Sequence, residues 1–180
     1  EVHYSIYTGT QKIKSLAVEG SDVVMISSFS FTAHLAYALS AWYRSRGMVT
    51  VLGGPHARSY PEDASLHFDY VLGLTDKELL NDLLRHFERN KPEGTYLSAS
   101  SQPVAIPGVR ERWEFIEHIH RSSPFLKGVP MLGSFGCPFQ CDFCIDADIP
   151  YQALDLDMIK EDPSSLFPLI PDSVKSIVTC

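Results

Sequence analysis

Three closely spaced cysteines are the residues of this sequence best suited to chemistry. Cys137, Cys141 and Cys144 lie within eight residues at C-x3-C-x2-C spacing, in the segment GCPFQCDFC. Thiolates are the natural protein ligands of iron–sulfur clusters. Structural zinc sites are closed by four protein ligands, whereas three cysteines leave one iron of a four-iron cluster open. The spacing therefore predicts a 4Fe-4S cluster that binds a small molecule at its open iron.

Other interpretations of this loop need residues from elsewhere. A zinc site or an ordinary electron-transfer cluster would take a fourth ligand such as Cys180, His118 or His120. Cys180 is more typical of a small buried strand residue. Three acidic side chains near the loop could bind a hard cation, although a solvated, loop-stabilising role is preferred. They are Asp142, Asp146 and Asp148.

Two short segments of small residues follow apolar runs in the first half of the chain. Ser27 and Ser28 follow residues 23–26 (VVMI), and a GGPH turn follows residues 49–52 (VTVL). If both runs are parallel strands, ligands bind beyond their carboxyl ends. There glycine lets the backbone approach a bulky ligand, and serine hydroxyls donate hydrogen bonds. We expect His56, in this turn, to form hydrogen bonds or pack rather than bind a metal.

The elements that must position these residues have an α/β pattern. From residue 2 to about residue 89, apolar runs alternate with helical periodicity, which is typical of a doubly wound, Rossmann-like parallel sheet. The pattern predicts strands at residues 2–7, 23–28, 49–52 and 70–72. It predicts helices at residues 11–18, from Phe31 to Tyr43, at 61–67, and after a capping box of Thr75 and Glu78. His34 would be a solvated or partly buried residue of the second helix.

Changes in periodicity divide the chain into domains. Residues 1–90 are predicted to form the first α/β domain, 91–128 a linker with one helix at 114–120, and 129–180 the start of a second domain. In the second domain we expect a strand at 131–134, a helix at 154–167 interrupted at Pro163, and a strand from Ser176. Because the chain begins at Glu1 and stops inside that strand, we expect an internal fragment of a longer protein.

The composition excludes several classes of protein. The 180 residues are 44% hydrophobic and 21% charged, as in ordinary globular proteins, with a formal net charge of −7. Without clustered lysine and arginine we expect no nucleic-acid partner. No run approaches the roughly 20 apolar residues that span a membrane, so we expect no membrane partner. The default expectation is a cytoplasmic protein whose cysteines are reduced.

The cysteine loop resembles that of the radical S-adenosylmethionine superfamily, whose hallmark is this spacing with an aromatic residue before the third cysteine. Phe143 occupies that place. The resemblance implies that S-adenosylmethionine binds the open iron with Phe143 near its adenine, and that one electron releases a 5'-deoxyadenosyl radical. It also implies that a partial (β/α) barrel starts in the second domain, and that a low-potential electron donor such as flavodoxin or ferredoxin is a partner.

The first domain resembles the cobalamin-binding domain that precedes the radical domain in one large branch of this superfamily. The resemblance rests on both small-residue segments and on residues 69–73 (DYVLG). It implies that six residues contact cobalamin: Ser27, Ser28, Gly53, Gly54, Pro55 and His56. The Asp-x-His-x-x-Gly motif, which supplies a cobalt-ligating histidine in some members, is absent from this sequence. The axial ligand is therefore undecided.

These observations predict a radical S-adenosylmethionine enzyme with cobalamin that transfers a methyl group to an unactivated carbon; cyclisation and rearrangement are other outcomes of this architecture. A zinc-stabilised, non-catalytic α/β binding module or cobalamin sensor is the main alternative, and a ferredoxin-like electron carrier is a third. The sequence contains only the first βαβ unit of the second domain and lacks a Gly-Gly-Glu-like segment. We therefore expect the fragment alone to be inactive, and the substrate is not indicated.

Overall fold

The computed structural model describes most of the first half of the chain and parts of the second: residues 20–89, 94–102, 107–108, 110–122, 128–131, 133–147, 149–155, 157 and 176–179. The chain divides into two compact units, Glu19–Pro103 and one that includes Val104–Cys180. The predicted strand at 2–7, the predicted helix at 11–18 and Cys180 lie outside the described residues. Among the described helices, none has the length and apolar character needed to cross a bilayer.

A parallel sheet of four strands forms the centre of the Glu19–Pro103 unit. The strands follow one another in space as in sequence: β1 (Val23–Ser27), β2 (Val49–Gly53), β3 (Tyr70–Leu72) and β4 (Thr95–Leu97). Apart from Gly53, β2 and β3 are buried on both faces, as their continuous apolar runs require. The predictions of β1, β2 and β3 are confirmed to within a residue. β4 lies in the segment predicted as a linker.

Helices cover both faces of this sheet. Four helices connect its strands: α1 (Ala33–Arg44), α2 (Pro55–Ser59), α3 (Pro61–Ser65) and α4 (Lys77–His86). The first three pack around Phe68 on one face, and α4 packs Leu83 against the other. The predicted α/β class, with a parallel sheet between helices, is thereby confirmed.

The first turns of α1 and α4 differ from the sequence prediction. Phe31, predicted as the first residue of α1, lies in a 3₁₀ turn, Ser30–Thr32, and is 85% exposed. The N-cap of α4 is Asp76, whose carboxylate accepts a hydrogen bond from the Leu79 amide at 2.8 Å. The predicted capping box is therefore wrong, because Thr75 lies one residue before the cap. A carboxylate at this position is also favoured by the helix dipole.

A buried polar cluster fixes α1 against the sheet. Asp69 is 1% exposed and accepts hydrogen bonds from the amide and the hydroxyl of Thr50, at 2.8 and 3.1 Å. On α1, Arg44 forms an ion pair with Asp69 at 3.2 Å, and the Ser40 hydroxyl lies 2.8 Å from that of Thr50. Because a buried charge is costly unless it is paired, this cluster selects one position for α1 on β2 and β3.

The described part of the second unit has one helix and four strands: α5 (Trp113–Ser122), β5 (Gly128–Met131), β6 (Ser134–Phe135), β7 (Gln152–Ala153) and β8 (Ser176–Thr179). β5 pairs with β8 in parallel, and β6 pairs with β7 in antiparallel orientation. The predicted helix at 114–120 and strand from Ser176 are confirmed. The strand predicted at 131–134 is divided between β5 and β6, and the helix predicted at 154–167 falls largely outside the described residues.

Candidate functional site

The ends of β1 and β2 meet at the carboxyl edge of the parallel sheet. Ser27 is the register partner of Gly53. The Ser28 amide donates to the Gly53 carbonyl at 3.2 Å, and the His56 amide donates to the Ser28 carbonyl at 3.0 Å. The structure thus brings together both small-residue segments of the sequence. We call Ser27, Ser28 and residues 53–56 the strand-end cradle.

Gly54 is the tightest point of the strand-end cradle. Its φ of +86° is a conformation that favours glycine. A Cβ at this position would lie 2.7 Å from Ser27 Oγ and 3.1 Å from the backbone nitrogen and oxygen of Ser28. Ser27 is exposed, whereas Ser28 is only 3% exposed. The surface that this cradle offers a ligand therefore consists of the Ser27 side chain, the backbone of Gly53 and Gly54, and Pro55.

Ser28 stabilises the turn that follows β1. Its hydroxyl donates to the Phe29 carbonyl at 2.9 Å and lies 2.9 Å from the hydroxyl of Thr32. The Thr32 hydroxyl also donates to the Phe29 carbonyl, at 3.0 Å. Local hydroxyl–backbone bonds of this kind compete with regular helix. They explain why α1 starts only after Thr32.

This turn presents two aromatic rings beside the strand-end cradle. Phe29 is 57% exposed and Phe31 is 85% exposed, and their rings stack with centroids 5.7 Å apart. We call residues 29–32 the aromatic turn. The helical spacing in the sequence placed Phe31 within the predicted helix, so this surface could not be inferred from periodicity. The run of hydroxyl residues around the two phenylalanines was the available signal.

His56 is hydrogen bonded at both ring nitrogens. It is 5% exposed, with Nε2 2.7 Å from Tyr37 Oη and Nδ1 3.1 Å from Ser30 Oγ. The prediction that His56 forms hydrogen bonds is confirmed. His34 is exposed on α1, which is also as predicted.

Tyr37 connects His56 to a carboxylate. Its hydroxyl donates to Asp63 Oδ2 at 2.6 Å. Burial, followed by the hydrogen bond and the negative charge of Asp63, raises the pKa of Tyr37 above its ordinary value. The Tyr37 hydroxyl therefore keeps its proton at neutral pH. Sequence reasoning did not associate either residue with His56.

In the second unit, a short hairpin closes the base of the cysteine loop. Besides the pairing of β6 with β7, the Leu154 amide donates to the Gly133 carbonyl at 3.0 Å. A Cβ at Gly136 would collide with the carbonyl oxygens of Ile149 and Pro150. The hairpin and this close approach hold the two ends of the loop together.

Two of the three predicted ligands, Cys141 and Cys144, begin successive turns of this loop. The Cys144 amide donates to the Cys141 carbonyl at 3.0 Å, and the Ala147 amide donates to the Cys144 carbonyl at 3.1 Å. All three cysteines are free thiols; Cys141 is exposed, and Cys137 and Cys144 are half-buried. Accessible free thiols are the donors that iron–sulfur clusters require. In donor type, the loop fits a cluster.

The described side chains of this loop do not have the close grouping of a metal-bound site. Within the residues that the structure describes, no three histidine, cysteine or acidic side chains are grouped so as to hold a metal ion. Phe143, the predicted neighbour of adenine, is 92% exposed. Asp142 is exposed and Asp146 is half-buried, whereas Asp148 lies outside the described residues.

Comparison with curated proteins finds two methyltransferases of related sequence. The bacteriochlorophyllide d C-8(2)-methyltransferase of Chlorobaculum tepidum is 30% identical over 125 residues, which cover 69% of this chain and 28% of the relative. The bacteriochlorophyllide d C-12(1)-methyltransferase of the same organism is 26% identical over 125 residues, covering 69% of this chain and 27% of the relative. Homologues of this chain are methyltransferases.

The similarity covers a limited part of these relatives. The chain spans little more than a quarter of their length. No family model matches the sequence, and no solved structure matches it. The α/β fold is established by the structure of the chain itself.

Proposed function

We propose that this chain is the cofactor-binding part of a radical S-adenosylmethionine enzyme that uses cobalamin to transfer a methyl group to an unactivated carbon. The observation that carries the proposal is one loop with three free cysteines at C-x3-C-x2-C spacing. The two methyltransferase homologues of this chain support the reaction class. The first unit would be the Rossmann-like, cobalamin-binding domain, and the parallel pair of β5 and β8 would begin the partial barrel.

In this proposal Cys137, Cys141 and Cys144 hold the 4Fe-4S cluster. Three thiolates would leave one iron open to S-adenosylmethionine, and the cluster held by these residues would supply the electron for its reductive cleavage. The hairpin of β6 and β7 fixes the ends of the loop while its thiols gather around the metal. The exposed ring of Phe143 is free to stack on the adenine.

The strand-end cradle is proposed to bind the nucleotide tail of cobalamin. Gly54 lets the turn pack closely on Ser27 and Ser28, and the open space where a Cβ of Gly53 would lie leaves bare backbone that a bulky ligand can approach. The exposed Ser27 hydroxyl can donate a hydrogen bond to that ligand. When bound, cobalamin carries the methyl group. His56 already uses both ring nitrogens, so its role here is to support the cradle rather than to ligate cobalt.

The cysteine assignment can be tested in the full-length protein that contains this chain, purified and reconstituted without oxygen. We expect about four iron and four sulfide per chain, and 5'-deoxyadenosine when S-adenosylmethionine and reduced flavodoxin are added. Cys141→Ala should lose both, because it removes one of three ligands. Cys180→Ala is the matched control and should retain both.

Two results would contradict this assignment. Loss of the cluster in Cys180→Ala would indicate a fourth protein ligand and hence a closed, electron-transfer type of site. One zinc ion per chain, without iron or sulfide after anaerobic handling, would indicate the zinc-stabilised binding module instead. Cobalamin is measured on the same samples by its visible absorbance after gel filtration.

A further inference from the structure

A continuous path of hydrogen bonds runs beside the strand-end cradle. Ser30 Oγ lies 3.1 Å from Nδ1 of His56, whose Nε2 lies 2.7 Å from the hydroxyl of Tyr37. That hydroxyl donates to Asp63 at 2.6 Å. The four residues belong to the aromatic turn, α2, α1 and α3. One path therefore connects three helices to the turn that exposes two phenylalanine rings.

The protons along this path can be placed from its acidic end. An ionised carboxylate only accepts hydrogen bonds, so Tyr37 uses its single proton to donate to Asp63. The Tyr37 oxygen must then accept from His56, which requires a proton on Nε2. In neutral His56 the other nitrogen, Nδ1, carries no proton and accepts from the Ser30 hydroxyl.

Packing holds Tyr37 in the position that this path requires. Its ring stacks on His67 with centroids 4.0 Å apart and meets Phe68 edge-on at 6.2 Å. His56 is 5% exposed and Phe68 is fully buried, so water has little access to the imidazole. The raised pKa of Tyr37, caused first by burial, keeps its proton in place.

We propose that Tyr37 is a positioning residue: it fixes His56 as the Nε2–H tautomer, and His56 in turn holds the aromatic turn beside the strand-end cradle through Ser30. This inference rests on the proposed function only in taking cobalamin as the ligand. The tautomer is a property of the protein without ligand. A turn that is already ordered lowers the entropy cost of binding.

The tautomer of His56 can be measured in the full-length protein labelled with ¹⁵N-histidine, with His56→Gln used to assign its signals. At about pH 8, above the ordinary histidine pKa, two-bond ¹H–¹⁵N correlations should show the proton on Nε2. Tyr37→Phe keeps the ring and removes the hydroxyl, so both tautomers should become populated. A proton on Nδ1 in the wild type, or an unchanged tautomer in Tyr37→Phe, would overturn the inference.

Asp63→Ala provides a second test if Tyr37→Phe folds poorly. Asp63 is exposed, so its substitution leaves the core intact. Without the carboxylate acceptor, the Tyr37 hydroxyl can donate its proton to Nε2 of His56, which favours the Nδ1–H tautomer. We expect more of that tautomer than in the wild type. Asp82→Ala, the matched control on α4, should leave His56 unchanged; an unchanged His56 in Asp63→Ala would contradict the inference.

Cobalamin binding separates this inference from the proposed function. We expect Tyr37→Phe to bind hydroxocobalamin about 3- to 10-fold more weakly than the wild type. The variant loses the hydrogen bond to His56 that orders the aromatic turn before the ligand binds. Tyr151→Phe removes an exposed hydroxyl from the other unit and should bind as the wild type does. Equal binding by Tyr37→Phe would overturn the positioning role. A wild type with the expected tautomer but no cobalamin binding would overturn the proposed ligand and confirm the tautomer.

Discussion

At the scale of a single residue, the geometry of the strand-end cradle depends on Gly54. Gly54→Ala would add both backbone strain and contacts with Ser27 and Ser28. Gly47→Ala is a matched control, because Gly47 has a φ of +78° but open space around a Cβ. We expect Gly54→Ala to lower the free energy of unfolding by about 1–3 kcal/mol more than Gly47→Ala, as measured by urea denaturation of the full-length protein.

Both glycines have a positive φ, so comparing the two variants separates the cost of steric contact with Ser27 and Ser28 from the cost of backbone strain. Equal losses of stability would mean that Ser27 and Ser28 move aside at no cost, and Gly54 would then not be required for the geometry of the cradle. A larger loss in Gly54→Ala accompanied by weaker cobalamin binding would link the geometry of this turn to its proposed ligand.

Residues with rare chemistry could be recognised in the sequence, but their long-range partners could not. Cys137, Cys141 and Cys144 share one loop, so their spacing alone identifies them as a group. Tyr37, by contrast, reaches His56 across 19 positions and Asp63 across 26. These contacts depend on how α1, α2 and α3 pack on the sheet, which no local pattern encodes. The aromatic turn was missed for a related reason, since its hydroxyl bonds override helical spacing.

At the scale of elements, the N-cap of α4 distinguishes the structure from the sequence prediction. The Asp76 carboxylate accepts from the Leu79 amide at 2.8 Å, whereas the Thr75 hydroxyl donates to the Gly73 carbonyl. Asp76→Ala should therefore cost about 1 kcal/mol of stability, and Thr75→Ala less than about half of that. Urea denaturation of both variants measures the difference. The reverse order would restore the predicted capping box.

Strands and helices could be predicted where their residues are strongly buried, and the prediction failed where burial is weak. β2 and β3 are buried apolar runs, and their sequences identify them directly. β4 has three residues, none of them buried, and follows a segment with proline and glycine. It joins the sheet through its backbone pairing with β3, which leaves no hydrophobic pattern in the sequence. Prolines begin both five-residue helices: α3 was predicted at residues 61–67, whereas the segment in which α2 begins was predicted only as a turn.

At the scale of the whole molecule, the two proposed cofactor sites belong to different compact units. The strand-end cradle and the aromatic turn lie in Glu19–Pro103, and the cysteine loop lies in the unit that includes Val104–Cys180. Each described site is built from local hydrogen bonds within its own unit. Compact units with their own packing generally fold and bind ligands separately. The two cofactors should therefore load independently.

Independent loading of the two cofactors can be tested by measuring both cofactors in each variant. Cys141→Ala should lose iron and sulfide but retain cobalamin, because it leaves the strand-end cradle unchanged. Gly54→Ala should bind less cobalamin but retain iron and sulfide, because the cysteine loop lies in the other unit. Iron, sulfide and cobalt are determined on the same anaerobic preparations of the full-length protein. Loss of both cofactors from either variant would contradict two separate sites and indicate that one cofactor organises the binding of the other.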